Sequence, residues 1–354
     1  KSKLVAQTYD GAAVMFSSGK GVQAIIREAY FVHCYAHKLN LVLSQSLESA
    51  DEDVMLFFQM LTGLSSYFKK STKRTNLLAK FTKRQIPTFT QTRWSSRSKI
   101  VTVLQEHLFL FQQAFCAIIE HPGEWDHDSF IRAQGYSKQL HDFTFVFLLN
   151  ILSQLFTFTE HLFKVFQNKQ SDMTVCHSAL HNAMTSIEAL IPKVTSIYQD
   201  TVQRVGEPTP MRNKDYSIEP FQQKSKKIID SVQSQLHARF SKHIEIFQFT
   251  DLLNPNKFAS FRLNFPESQF QALKLSYASF FDFLCLKNEL VILYSTVEFE
   301  SKHAPELCSF LQENHLYETM PQLYKLTVLC MTIPVSSSGV ERPFSCLKRI
   351  KSYL

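Results

Sequence analysis

The scarcity of backbone-breaking residues is the feature that most restricts how this chain can fold. Its 354 residues include only 8 glycines and 12 prolines, the two residue types that interrupt helices most strongly. Long, uninterrupted helices are therefore predicted to dominate. The 32 phenylalanines predict a bulky aromatic core and leave room for some apolar surface facing a partner.

Length and composition indicate a globular protein with more than one packed region. A chain of this length is too long for one small core and suits two or three. Its 45% hydrophobic and 19% charged residues argue against disorder. The seven cysteines are odd in number and widely spaced. That pattern indicates reduced, mostly buried thiols inside a cell rather than a secreted disulfide framework.

The sequence predicts no membrane partner. Its first residues do not form the pattern of a signal peptide. The richest apolar run, residues 143–158, is interrupted by Asn150, Ser153 and Gln154. It is also shorter than the roughly 20 residues that a membrane-spanning helix needs.

Hydrophobic periodicity predicts two short strands among many helices. A strand ending in a turn is predicted over residues 4–11, and a second strand over 31–35, where aromatic and β-branched residues cluster. Residues 205–215, with one glycine and two prolines, predict a loop. Helical spacing is found over residues 22–30, 38–47, 54–68, 98–120, 143–167, 175–204, 218–249, 267–278, 319–331 and 345–353.

Two short motifs near the N-terminus are ambiguous when each is taken alone. Asp10-Gly11 after a strand is more often a turn than a metal ligand. Cys34 and His37 stand three residues apart, a spacing that suits half of a zinc site. A structural zinc needs two further ligands, and no second close pair stands out. A packed cysteine beside a structural or functional histidine is therefore the preferred interpretation.

Two further motifs are also ambiguous by themselves. Arg93-Trp94 fits the start of an ordinary helix with the tryptophan in the core. Glu341-Arg342 follows a serine-rich loop, where an acid favours the first helical turn and serine caps the free amides. The order of all four motifs along the chain carries more information than any one of them.

Taken in order, these motifs resemble those of the hAT superfamily of transposases. The Asp10-Gly11 turn is followed by Gly21-Val22-Gln23, by residues 32–43 and by Thr92-Arg93-Trp94. After a long helical stretch come residues 333–335 and 340–351. The nearest similarity is to the branch found in zinc-finger MYM-type 1-like proteins. The resemblance covers nearly the whole chain and is strongest over residues 5–43 and 326–354.

The resemblance implies an α-rich α/β fold, in which a partial RNase H-like fold is interrupted by a large all-α insertion domain. The N-terminal part of the RNase H-like core is expected over residues 1–50 and the insertion over residues 51–321. Residues 322–354 are expected to complete the core and to begin the C-terminal dimerisation region of the family.

The resemblance also implies a site for metal-dependent chemistry on DNA. Enzymes of the family use three carboxylates to hold two divalent ions, Mg²⁺ or Mn²⁺, for in-line phosphoryl transfer. Asp10 matches the second acid and Glu341 the third, so both are the expected catalytic and metal-binding residues. The residues expected to support the active site are Cys34, His37, Arg93, Trp94 and Arg342.

The first acid of the family has no match among residues 1–9. We therefore expect this chain, which looks truncated at both ends, to be catalytically incomplete. The preferred hypothesis is an inactive, transposase-derived protein of the nucleus that binds DNA and dimerises, either truncated or a degenerate, domesticated copy. An active transposase is the first alternative, if an upstream segment supplies the missing acid. A helical protein-interaction scaffold is the second.

Basic clusters and a net charge of +7 fit a polyanionic partner. The expected contacts are with DNA phosphates rather than with bases, because no motif that reads bases is recognised. A solvated helix face is the alternative interpretation of such a cluster. The residues predicted to contact nucleic acid are Lys69, Lys70, Lys73, Arg74, Lys80, Lys83, Arg84, Lys348, Arg349 and Lys351.

Overall fold

The computed structural model describes residues 4–12, 15, 21–26, 29–83, 86–87, 94–168, 170–208, 217–337, 347 and 351. Helices dominate this part of the chain, and its described residues include two strands. The prediction of a helix-rich chain is thereby confirmed. The RNase H-like fold itself stays a prediction.

The two strands form one parallel pair. Strand β1 (Ala6–Tyr9) pairs with β2 (Tyr30–His33) from Ala6 opposite Tyr30 to Tyr9 opposite His33. Helix α1 (Val22–Ile25) lies between them in sequence and is shorter than the predicted helix over residues 22–30. The Gln7 amide donates to the carbonyl of Ile26 at 2.6 Å, just past the helix end, and to that of Ala29 at 3.1 Å, which supplies partners that the helix itself does not.

After β2 the described residues form α-helices, with short 3-10 helices between some of them. The α-helices are α2 (Tyr35–Ala50), α3 (Glu52–Lys69), α4 (Thr72–Thr82), α5 (Trp94–Glu120), α6 (His127–Leu140), α7 (Phe143–Gln167), α8 (Met173–Glu188), α9 (Val194–Val205), α10 (Ile218–Ile246), α11 (Phe258–Leu263), α12 (Glu267–Tyr277), α13 (Phe283–Ser295), α14 (Ala304–Glu313) and α15 (Pro321–Thr332).

Short polar side chains fix where several helices begin. Asp51 accepts a hydrogen bond from the Asp53 amide at the start of α3, at 2.9 Å. Ser71 caps α4 in the same way, and Asp126 caps α6. Such caps satisfy amides that have no partner inside the helix.

Two helix predictions were wrong in detail. The helix predicted over residues 175–204 is broken into α8 and α9 by a 3-10 turn over Ile191–Lys193. Pro192, inside that turn, lacks the N–H that a continuous helix requires. The helix predicted over residues 218–249 ends at Ile246, and a 3-10 segment follows over Gln248–Leu253.

The chain forms two compact units. The first unit comprises Lys1–Leu39, Leu162–Asn182 and His237–Leu354, and the second comprises Asn40–His161 and Ala183–Leu236. These units are defined by packing, whereas the predicted domains are defined by where an insertion enters the chain. The predicted boundaries therefore stay a prediction.

Aromatic side chains fill the core of each unit. In the first unit the ring of Tyr35 meets Phe166 at 5.3 Å and Phe240 at 5.0 Å. In the second unit Phe68 lies 5.2 Å from Phe115. Edge-to-face and tilted ring pairs of this kind contribute beyond the apolar area they bury. The phenylalanine-rich composition is thus used mainly inside the two units.

Helix α7 is long and apolar enough to cross a membrane by length and composition alone. However, 67% of its most apolar window is buried inside the protein. A core helix of a globular protein has the same character, so α7 is weak evidence for a membrane span.

Candidate functional site

The carboxyl ends of the two parallel strands meet at one edge, which we call the strand edge. Asp10 directly follows β1, and Cys34 directly follows β2 and leads into α2. The Cys34 amide donates to the Tyr9 carbonyl at 3.0 Å, so the two strand ends are joined. In open α/β sheets the carboxyl ends of parallel strands are the usual place for ligands.

A segment from the other end of the chain, residues 334–337, joins the strand edge. The Thr8 hydroxyl donates to the Pro334 carbonyl, and the Tyr35 amide donates to the Val335 carbonyl at 3.0 Å. The Cys34 sulfur lies 3.5 Å from the Ser336 hydroxyl oxygen and 3.4 Å from the Ser337 amide nitrogen. Parts of the chain more than 300 residues apart therefore share this edge.

The Asp10-Gly11 turn lies against two histidines. Asp10 Oδ1 accepts a hydrogen bond from the Ala12 amide at 3.2 Å, which stabilises the turn. A methyl group added at Gly11 would lie 3.2 Å from His37 Nε2 and 3.4 Å from His33 Nε2. The missing side chain of Gly11 thus allows the turn and both imidazoles to come close.

His33 and His37 are stacked, and their surroundings keep His33 neutral. Their ring centroids are 5.4 Å apart with an interplanar angle of 23°. Burial is the largest cause that lowers the pKa of His33 to about 4, and the positive charges of Lys38, His37 and Arg239 add to it. The negative charge of Asp10 acts in the opposite direction. At neutral pH the His33 imidazole is uncharged.

Lys38, which follows His37 in sequence, is buried. Its ammonium group donates to the Arg239 carbonyl at 2.7 Å and lies 5.8 Å from the Tyr35 ring centroid and 5.4 Å from that of Phe240. Burial, followed by the charge of Arg239, lowers the pKa of Lys38 to about 7. Aromatic faces and a carbonyl stabilise the charged form only in part.

A second layer of polar groups lies around Tyr35. The Tyr35 hydroxyl forms a 2.9 Å hydrogen bond with His177 Nε2, and the His243 ring centroid is 5.9 Å from that of Tyr35. Burial is the largest cause that lowers the pKa of His177 to about 4 and that of His243 to about 3. Burial also raises the pKa of Tyr35.

The described residues do not supply a complete metal site. Among them, no group of three or more histidine, cysteine, aspartate or glutamate side chains could hold a metal ion. Among the described residues that affect the pKa of His33, Asp10 is the carboxylate, and it raises that pKa. We therefore derive no chemical step through Mg²⁺ or Mn²⁺ from this part of the chain.

The structure brings three of the predicted site residues together and leaves four undecided. Asp10, Cys34 and His37 share the strand edge. Cys34 is only 1% exposed, which agrees with the interpretation of a packed cysteine. Arg93, Glu341 and Arg342 lie outside the described residues, as does the side chain of Trp94, the first residue of α5. The approach of Asp10 to Glu341 stays a prediction.

Sequence reasoning missed three members of the strand edge, namely His33, Lys38 and Arg239. The first two had a signal, because they flank the predicted Cys34 and His37 directly in sequence. Arg239 had none. It belongs to α10, about 200 residues away in sequence, and only folding brings its carbonyl to Lys38.

Within the predicted basic cluster, residues 69–83 comprise the end of α3, the whole of α4 and the residue that follows it. Lys73 donates to the Glu124 carbonyl and lies 4.2 Å from the Trp125 ring centroid. Arg74 bonds the Ser129 hydroxyl and stacks on the Tyr67 ring at 4.3 Å. These two side chains stabilise the packing of the second unit, a role that neither DNA contact nor a solvated helix face had predicted.

Some of the other residues predicted to contact nucleic acid are described by the structure, and some are not. Exposed side chains belong to Lys69, Lys70, Lys80, Lys83 and Lys351. Arg84, Lys348 and Arg349 lie outside the described residues. Exposure agrees with either contact to phosphate or simple solvation, so the prediction of nucleic-acid contact stays open for this set.

Comparison with known proteins adds no relative. No protein-family model matches this chain, and no curated protein sequence matches it. The relation to hAT transposases therefore depends on the motifs and their order, and it stays a prediction.

Proposed function

We propose that this chain is a DNA-binding, self-associating nuclear protein derived from a hAT-type transposase, and that DNA phosphates lie along its strand edge. The observation that carries the proposal is the junction of residues 334–337 with the ends of β1 and β2. The resemblance requires residues from the two ends of the chain to build one site. A helical scaffold whose motifs matched by chance has no such requirement.

The position of Glu341 in the sequence adds to this support. It follows Ser337 by four residues, and the Ser337 amide bonds the Cys34 sulfur at the strand edge. Four residues of extended chain span at most about 14 Å. The length of chain between Ser337 and Glu341 is therefore compatible with an approach of Glu341 to the edge that carries Asp10, and that approach stays a prediction.

The charge of the strand edge suits an anion. The positive charges of Lys38 and Arg239 act on His33, and the negative charge of Asp10 acts on it in the opposite direction. A buried lysine beside an arginine is costly to keep charged unless an anion balances it. Together with the net charge of +7, it favours a polyanion over a neutral or acidic partner.

Binding to duplex DNA at several salt concentrations tests the proposal. Fluorescence anisotropy with a labelled oligonucleotide should show an affinity that falls by about 0.9 log units per log unit of salt for each phosphate neutralised. Scrambling the oligonucleotide should change the affinity little, because phosphate contacts carry no sequence information. Absence of binding, or binding that ignores salt, would favour the scaffold hypothesis.

A second arm of the test separates binding from catalysis. Incubating the protein with Mn²⁺ and a labelled duplex measures strand cleavage, and Asp10→Asn is the matched control. Cleavage that the substitution abolishes would favour the active transposase over a protein that only binds. Sedimentation of the full chain at several concentrations tests self-association. A monomer at all concentrations would remove that part of the proposal.

A further inference from the structure

We propose that a cavity in the second unit binds a small organic ammonium compound, which places its apolar part inside and its charged amine at the rim. The cavity has a volume of about 770 Å³, which is in the range of pockets that hold small molecules. Its lining comes from α3, the end of α6, the start of α7 and the end of α9. All of these residues belong to the second unit, so the proposal does not rest on the function proposed for the strand edge.

The apolar wall of the cavity is the first argument. Phe57, Phe143 and Phe145 line it with largely buried rings, and the side chain of Met60 adds to them. Leu56 also lines the cavity, and it is 49% exposed. The apolar body of a ligand would cover this leucine and remove its surface from water. A ligand without an apolar part would leave that surface exposed.

The charge of the lining is the second argument. The described lining has three carboxylates, one lysine and one histidine, namely Asp53, Asp142, Glu207, Lys138 and His141. Asp53 is paired with Lys224, and Asp142 accepts a hydrogen bond from the Phe145 amide at 2.9 Å. Glu207 is exposed. In a chain whose net charge is +7, this local excess of acid favours a cation over an anion.

The space beside Gly135 is the third argument. Gly135 lies inside α6, where glycine is less favourable than alanine. Gly63, inside α3, has a packing reason, because a methyl group there would lie 2.6 Å from the Tyr136 hydroxyl oxygen. At Gly135 the methyl group would have no described atom within 4 Å, apart from its chain neighbours and the backbone of its own helix. The wall of the cavity is therefore open at Gly135, and a longer side chain has room there.

The direct test uses dansylcadaverine, a fluorescent aromatic compound with a primary amine, and its uncharged N-acetyl derivative. The fluorescence of each probe, titrated with the full chain, measures binding because the dye becomes brighter in apolar surroundings. The amine should bind saturably. The acetylated probe should bind about tenfold more weakly, since it cannot pair with the carboxylates. Absence of saturable binding, or equal affinities of the two probes, would overturn the proposal.

A substitution that fills the cavity locates the bound probe. Gly135→Leu should abolish saturable binding, because the new side chain occupies space that the ligand needs. Gly123→Leu is the matched control, since a methyl group at Gly123 also has no described atom within 4 Å and Gly123 does not line the cavity. Unchanged binding by Gly135→Leu would show that the probe binds elsewhere and would overturn the proposal. Circular dichroism checks the folding of each variant.

Two exposed residues of α3 keep the test decisive if Gly135→Leu does not fold. Leu56→Gln should weaken the binding of both probes, because it removes apolar surface from the wall. Met55→Gln should not, since Met55 is 42% exposed but does not line the cavity. Equal binding by these two variants would contradict a ligand in this cavity.

A pair of exposed acids tests the charge at the rim. Glu207→Gln should weaken the binding of dansylcadaverine about threefold, the usual effect of losing an exposed ion pair, and leave the acetylated probe unaffected. Glu188→Gln changes an exposed acid outside the cavity in the same unit and should change neither affinity. An equal loss for both probes in Glu207→Gln would contradict the pairing of the amine with this carboxylate.

Discussion

The strand edge of the first unit and the basic segment of the second unit, residues 69–83, both concentrate positive groups, but they do so in opposite ways. At the strand edge, Lys38 is buried and His33 is held neutral. In the basic segment, Lys70 and Lys80 are exposed. The first arrangement is assembled from distant parts of the chain, whereas the second is continuous in sequence.

The difference shows what each region can contribute. The ammonium group of Lys38 is shielded from water, and no negative charge nearby balances it fully. An anion that came close would therefore stabilise its charged form. An exposed lysine keeps its hydration and contributes mainly long-range attraction that salt screens. The strand edge is therefore suited to a specific contact, and the basic segment to attraction that is independent of sequence.

The largest expected effect is a loss of stability in acid that originates in the first unit. The folded pKa of His177 is about 4, below the unfolded value of 6.5, so the unfolded chain binds the extra proton between these values. Stability is complete above about pH 6.5 and falls as the pH drops towards 4. For His177 the loss between pH 7 and pH 5 should be about 2 kcal/mol.

Urea unfolding at the two pH values measures this loss, and His177→Gln should remove its share of the pH dependence. His33 and His243, whose folded pKa values are also lowered, should add to the effect in the same direction. Equal unfolding free energies at pH 7 and pH 5 would contradict the buried, neutral state of these rings.

Removing one hydroxyl from each region should sharpen the comparison. Tyr35→Phe leaves His177 Nε2 buried without its 2.9 Å partner and should cost about 2 kcal/mol. Tyr67→Phe removes a bond of the same length to the Ser129 carbonyl. That carbonyl lies in α6 and can keep a helical partner, so the expected cost is about 1 kcal/mol. Thermal or urea unfolding of both variants measures the two losses of stability. A larger loss for Tyr67→Phe would reverse this ranking.

Two threonines allow a smaller, matched test of long-range and local contacts. Thr8 bonds the Pro334 carbonyl across 326 residues, whereas Thr75 bonds the Phe68 carbonyl across 7 residues at 2.8 Å. Replacing either by valine should lower the unfolding free energy by about 1 kcal/mol. Only Thr8→Val should also weaken DNA binding in the anisotropy assay. If both variants bind DNA equally well, the junction with residues 334–337 is structural and not functional.

The smallest expected effect concerns the exposed lysines of the basic segment. If Lys80 contacts a phosphate, Lys80→Gln should lower the slope of log affinity against log salt by about 0.9. Lys73→Gln should instead lower stability, because Lys73 is engaged with the Glu124 carbonyl and the Trp125 ring. An unchanged salt slope for Lys80→Gln would assign this lysine to simple solvation.

Much of the fold followed from local signals, and its errors have local causes. The helix over residues 143–167 was predicted with the bounds that α7 has, because its apolar pattern is long and free of breakers. Pro192 was passed over inside a longer helical pattern, although its missing N–H ends that helix. The helix predicted after residue 22 ends at Ile25, and Gln7, a residue outside the pattern, binds the carbonyls of Ile26 and Ala29.

The candidate site was predictable only where its members lie beside a strand end. Asp10 and Cys34 each follow a strand, and parallel pairing brings the ends of both strands to one edge. The motif order pointed to His37 as well. The carbonyl of Arg239 carried no signal, since any residue supplies one and only its position in space matters.

The sequence by itself determined the helical character of the chain, the two short strands and the order of the motifs, because these depend on residues close together in sequence. Tertiary structure alone decided that Lys38 is buried against the Arg239 carbonyl, that Tyr35 bonds His177, and that residues 334–337 join the ends of β1 and β2. The physical reason is that desolvation and charge coupling act between neighbours in space. They change the pKa of a histidine or a lysine only after folding has removed water from around it.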